Sequence, residues 1–252
     1  MAGARAYAMR LDRDTEAEGI QSLRELVVRL PKDRFVLRIL GAPLSRRAET
    51  AKEGLDLLVR AAAQPGGDPI AEYIQGESLI RYLDREAEGL GAVDRALALA
   101  PNYADAHCEK IFTLLERRGD LAAARTALTQ VPPALLREER VIAVAVKVWL
   151  AANEPERALR ALAPASAHFT ATYFKGPVGY LKGMAHRRAG RLPAAQTEWR
   201  LALRDVQRRL EAAPTDPIEL LWKACLLALL DERAEAQAVW DLARQFTAAQ
   251  TA

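Results

Sequence analysis

Cysteine is nearly missing from this sequence: Cys108 and Cys225 stand far apart, outside any Cys-x-x-Cys pair. That excludes a disulfide framework, and two free thiols in a reducing compartment are the simplest expectation. Imidazole is as scarce. His107, His168 and His186 fall in different segments with neither His-Glu-x-x-His nor His/Cys spacing, so no metal site is expected. Aromatics make up only 6% of the 252 residues, too few for a thick aromatic sheet core. Charge of one sign is lacking too: 36 basic and 33 acidic side chains leave a net charge of +3, which does not mark a polyelectrolyte binder of nucleic acid. No stretch approaches about 18 uncharged apolar residues, and Met1 to Ala8 has no signal-peptide core, so a cytosolic chain is expected, with a fragment of a longer protein equally compatible.

Catalytic motifs are missing as well. Gly89-Leu90-Gly91 has Asp94 where a dinucleotide fingerprint needs its third glycine, and neither a Gly-x-x-x-x-Gly-Lys-Ser/Thr loop nor a kinase catalytic loop occurs. His107 and Cys108 are adjacent, and neighbouring helix residues point in different directions, so they form no nucleophilic pair and Cys108 reads as a small buried hydrophobe. The expectation is a non-enzyme without cofactor.

What remains is half hydrophobic, rich in Ala, Leu and Arg, and patterned. Apolar residues return at three- and four-residue steps, as in Leu221, Cys225, Leu229 or Val141, Ala145, Val148, which is helical periodicity; no alternating strand stands out. Breaks recur at Leu30 to Asp33, Gln64 to Pro69, Ala100 to Asn102, Arg118 to Asp120, Val131 to Pro133, Ala152 to Pro155, Ala189 to Arg191 and Ala213 to Pro217. Segments of helical length lie between them, which predicts an all-α chain and prompts a search for repeats.

Gly183, Ala195, Trp199 and Ala202 are matched by Ala224, Ala236, Trp240 and Ala243, each displaced by 41 positions. Small residues on one helix let its partner approach, and they admit the bulky Trp beside them. By this logic Trp199 and Trp240 are predicted in the core, and Trp222 nearest the surface. The segment Tyr180-Leu181-Lys182-Gly183 with Ala195, Trp199 and Ala202 resembles the tetratricopeptide repeat, as do Arg95 to Pro101 and Ala104 to His107 further back. The family repeat is about 34 residues long. The surplus is assigned to a long second helix through Leu203 to Leu210. The succession from about residue 85 to 248 is similar to the C-terminal repeat arrays of bacterial signalling proteins, which follow kinase, cyclase or winged-helix domains.

The resemblance implies a right-handed α-solenoid of five to seven stacked antiparallel helix hairpins. It would comprise divergent N-terminal repeats at 1–68, clearer repeats at 69–165 and a C-terminal pair at 166–252, in one continuous array. It further implies that first helices line a groove for a protein or peptide. In the family register the groove-facing positions are Pro177, Tyr180, Met184 and Arg187, then Ile218, Leu221, Cys225 and Ala228. Asn102 and Asn153 both fall at helix ends, so the family's carboxylate clamp is not expected. A rival surface is the face of Arg200, Arg204 and Arg208, one helical turn apart, which could meet an acidic partner or nucleic acid or simply be solvated beside Glu198, Asp205 and Glu211.

Overall fold

Every predicted break falls between two helices. The computed structural model describes the backbone of residues 16–251 and side chains as far as residue 246; the N-terminal stretch tested above for a signal sequence lies outside the described residues. Helix α1 is Glu16–Arg29, α2 Arg34–Leu44, α3 Ala51–Ala62, α4 Pro69–Arg81, α5 Glu86–Leu99 and α6 Ala104–Phe112. A π-helical turn, Thr113–Arg117, precedes α7 at Leu121–Thr129, and a 3-10 turn, Pro133–Arg137, precedes α8 at Glu139–Ala151. Then come α9 Pro155–Leu162, strands β1 His168–Ala171 and β2 Phe174–Pro177, and helices α10 Val178–Arg188, α11 Leu192–Ala212, α12 Pro217–Leu229 and α13 Arg233–Thr251. Among the described residues no helix is long and apolar enough to cross a membrane.

The boundaries have local causes. Asp33, Asp68 and Asp216 cap α2, α4 and α12 by accepting hydrogen bonds from the first free backbone N–H groups, and proline opens α4, α9 and α12 where no N–H is needed. Gly119 and Gly190 sit at φ 64° and 74° in the reversals before α7 and α11, a conformation that side chains resist.

The chain divides into two compact units: residues 1–113 with 130–132, and residues 114–129 with 133–252. Within the first unit, α2 pairs with α3 and α4 with α5; within the second, α8 pairs with α9, α10 with α11 and α12 with α13. These five antiparallel pairs, stacked in succession within their units, make the fold all-α.

Glycine sets how closely the first two pairs approach. A Cβ on Gly54 would lie 2.2 Å from the backbone N of Ser45, and one on Gly76 would lie 2.8 Å from the carbonyl of Gly89. These contacts reveal a repeat that the N-terminal reading missed. Asp33, Gly41, Gly54, Arg60 and Ala61 recur as Asp68, Gly76, Gly89, Arg95 and Ala96, each 35 positions on. Residues 33–67 and 68–102 therefore share a 35-residue spacing.

The core of unit 1 is formed by Leu37, Leu40, Leu57 and Leu58 with Leu23 of α1. A charged ladder crosses the same unit. Arg46 meets Glu77 at 2.7 Å, Arg81 lies 3.8 Å from Glu77, and Arg81 also grips the fully buried Glu109 of α6. In unit 2, Ile142, Val146, Leu162, Phe169 and Leu181 form one cluster, Trp199, Val206 and Leu226 a second, and Leu220, Leu227 and Val239 a third.

The hairpin β1/β2 is a short strand pair where no alternating strand stands out in the sequence. Phe169 to Phe174 is a run of aromatic and β-branched residues that suits a pleated surface. The strands pair antiparallel, His168 opposite Pro177 and Ala171 opposite Phe174. Both outer edges are occupied: Glu139 accepts from the Thr170 backbone N–H, and the Trp222 indole donates to the Lys175 carbonyl at 2.8 Å. One backbone pairing group on each strand is thereby satisfied from outside the ribbon.

Candidate functional site

In unit 2 the site begins with Gly179 and Gly183 on α10, which bring α11 close. A Cβ on Gly183 would lie 2.1 Å from the Trp199 indole nitrogen, so the glycine is the notch that holds the ring. Trp199 donates to the Tyr180 carbonyl at 3.4 Å, and the Arg187 guanidinium lies 5.8 Å from its ring centroid. Trp199 is only 1% exposed, as predicted.

Trp222 and Trp240 exchange their predicted places. Trp240 is 47% exposed on α13. Trp222 is half-buried, its ring 5.0 Å from Tyr180 and 5.4 Å from Phe174, over a Gly176 with no room for a Cβ. The repeat offset fixes position on a helix but not what packs over it.

The eight groove positions separate. Pro177 is buried at the end of β2. Tyr180 is half-buried because Phe174 stacks on it with ring centroids 6.1 Å apart, so the chain's own hairpin occupies that part of the face. Burial, and then the neighbouring Cys225, push the Tyr180 phenol above its ordinary range; burial also raises the Cys225 thiol, which stays free. Met184 packs beside the Trp199 cluster, and Leu221 packs into the α12/α13 core. Arg187, Ile218 and Ala228 are exposed. The structure thus joins Tyr180, Met184, Arg187 and Cys225 along one face and separates Pro177 and Leu221 from it.

Arg200, Arg204 and Arg208 are exposed along the outer face of α11. Arg208 lies 3.7 Å from Asp205, whereas Arg200 and Arg204 form no ion pair among the described residues. Deeper in the unit, His168 of β1 sits 3.6 Å from Glu219 and 4.0 Å from Asp205, and neither ring nitrogen has a hydrogen-bond partner among the described residues. Burial lowers the pKa of its imidazole against the pull of Glu219 and Asp205, and Arg209 donates to Glu219 at 2.7 Å. Among the described residues no three His, Cys, Asp or Glu side chains assemble as metal ligands.

Within unit 1, considered by itself, the same register picks out a second set of positions. With Gly41 and Gly76 in the place of Gly183, the positions of Pro177 and Tyr180 become Phe35 and Arg38 on α2, and Ile70 and Tyr73 on α4. Phe35 is 46% and Ile70 40% exposed. Arg38 lies 5.9 Å over the Phe35 ring and makes two hydrogen bonds to Asp68, at 2.9 and 3.1 Å. Tyr73 meets Tyr103 edge-on at 5.2 Å, and burial, with Asp105 nearby, raises the Tyr103 phenol far above its ordinary range. The 35-residue offset was the available signal for these four residues.

No protein-family model matches the chain, and no curated protein resembles it in sequence. Among solved structures, a chain in a structure described as Naa15/Naa10 bound to HypK-THB is similar over 96% of this chain, with 16% identity and a TM-score of 0.33. The present chain spans 42% of that one. The fold therefore rests on its own hairpins, glycine notches and offsets: the chain is an all-α helical-repeat protein.

Proposed function

We propose that the chain is a non-catalytic interaction module of the tetratricopeptide type, whose first-helix faces hold a peptide segment or protein surface. The observation that carries this reading is the exposure of Phe35 and Ile70 at one register position of consecutive repeats, beside Arg38 and Tyr73. Large apolar groups left open at a periodic spacing, with an arginine among them, have the composition of binding hot spots. In unit 2 the same role falls to Met184 and Arg187, since Phe174 already covers Tyr180.

The test is affinity capture from a lysate with the wild-type chain beside two variants, F35A/I70A/Y73A and M184A/R187A, at two salt concentrations. A discrete protein held by wild type and lost in either variant supports the face that variant alters; capture that neither variant changes overturns the groove. A second reading, nucleic-acid binding, is favoured by Arg200 and Arg204, which are exposed without ion pairs among the described residues. It requires salt-steep retention of nucleic acid that R200E/R204E abolishes.

A further inference from the structure

The internal repeat makes Trp240 the counterpart of Trp199, and the two differ in what covers them. Trp199 is enclosed on one side by α10, through the Gly183 notch and Arg187, and on the other by the following helix, α12, whose Trp222, Leu226 and Leu229, with Leu230 at its C-cap, complete its cluster. Those four residues follow an i, i+4, i+7, i+8 pattern, the apolar stripe of an amphipathic helix. At Trp240 the notch residue is Ala224, the counterpart of Arg187 is Ala228, and no described helix takes the place of α12. The surrounding positions keep the repeat: Ala236, Gln237, Trp240 and Ala243 reproduce Ala195, Gln196, Trp199 and Ala202.

The flanks, by contrast, have become basic. Arg233 and Arg244 stand 41 positions after Leu192 and Leu203, and at 100° per residue both lie within one side-chain width of the Trp240 direction. Among the described residues Arg233 is paired only with Asp231, which is also exposed, and Arg244 forms no ion pair. Of the acidic residues of α13, Glu235 pairs with Lys223 of α12, and Asp241 accepts a hydrogen bond from Gln237 of the same helix.

We propose that this face of α13 is a docking site for an acidic amphipathic helix of a partner protein, which adds to the stack as α12 adds to α11. The internal α11/α12 contact supplies the template for its apolar stripe, and the two arginines select acidic flanks. A second copy of α13 fits less well, because self-pairing brings arginine-flanked faces together. This surface is separate from the groove, and each can fail without the other.

The probe is a labelled, tryptophan-free helical peptide of about 20 residues, long enough to populate helix. It carries leucine at i, i+4, i+7 and i+8 and glutamate on its flanks, and a matched peptide carries lysine instead. The expected result is saturable binding of the glutamate peptide by anisotropy, at least about tenfold weaker in W240A. R244E should shift preference toward the lysine peptide, and M184A/R187A should leave binding unchanged. Circular dichroism and the thermal midpoint of W240A should match wild type, since the ring is half in solvent. Four outcomes overturn the proposal: no binding of the glutamate peptide, equal binding of both peptides, unchanged affinity in W240A, or a dimer in light scattering that W240A dissolves. The last would make the occupant a second copy.

Discussion

Asp33 and Asp68 occupy equivalent places in consecutive repeats, and they offer an internally controlled measurement. Both cap a helix, but Asp68 is 2% exposed and also receives two hydrogen bonds from Arg38, whereas Asp33 is exposed and accepts only from Val36. Removing a cap costs about 1 kcal/mol. Losing a hydrogen-bonded charge partner adds about 1.5–3 kcal/mol. Asp33→Ala should therefore destabilise by about 1 kcal/mol. Asp68→Ala should cost roughly 3 kcal/mol. Asp68→Asn, which keeps a capping oxygen, should fall between them.

Urea unfolding followed by far-UV circular dichroism measures all three, and with two compact units present a biphasic curve would move only in its unit 1 transition. Because Arg38 also lies over Phe35, Asp68→Ala should weaken partner capture at urea-free conditions where the fold persists. Equal costs for Asp33→Ala and Asp68→Ala would refute the view that the Arg38 pair stabilises unit 1. So would an Asp68→Asn that costs nothing, since it removes the charge that Arg38 meets while keeping a capping oxygen.

Other perturbations test separate parts of the structure. Gly54→Ala places a Cβ 2.2 Å from one backbone atom and 2.6 Å from another, so α2 and α3 must separate; a loss of about 2–3 kcal/mol in urea unfolding is expected. Gly91→Ala, whose Cβ would meet only the far end of Arg95 at 3.7 Å, should instead stabilise α5 by about 0.5–1 kcal/mol. Trp222→Phe forfeits the hydrogen bond to the Lys175 carbonyl and should cost about 1–2 kcal/mol while speeding amide exchange in β1 and β2. His168 faces Glu219, Asp205, Glu139 and Arg209, and burial holds its folded pKa below the unfolded value of about 6.5. Between those two values the unfolded chain binds the extra proton, so stability is full above pH 6.5 or so and declines as pH falls toward the folded pKa. Thermal midpoints of wild type should fall through that window more steeply than those of His168→Gln; parallel pH profiles would remove His168 as the cause.

The helices were legible because their punctuation is local: an aspartate cap or a proline acts on the next few residues whatever the tertiary fold. The C-terminal repeat was legible through Trp199 and Trp240, since aromatics are rare here and their coincidence is conspicuous. The N-terminal repeat was missed because its markers are glycines, whose importance lies in an absent Cβ and appears only when the facing backbone is seen within 3 Å. The hairpin was missed because its stabilising partners, Glu139 and Trp222, are distant in sequence, and a short strand has no periodicity of its own to show.

The exchange of Trp222 and Trp240 has a different origin, and it bears on where such a chain can bind. In a stacked array each repeat is half-covered by the next, so identical residues at equivalent positions are core or surface according to neighbours that the position itself does not encode. Trp240 keeps the residue type of a core site while its flanks have become Arg233 and Arg244. A face that needed only to be soluble would have exchanged the indole for a polar side chain along with its neighbours. Retaining it between two arginines is the arrangement that a helix with an apolar stripe and acidic flanks would recognise.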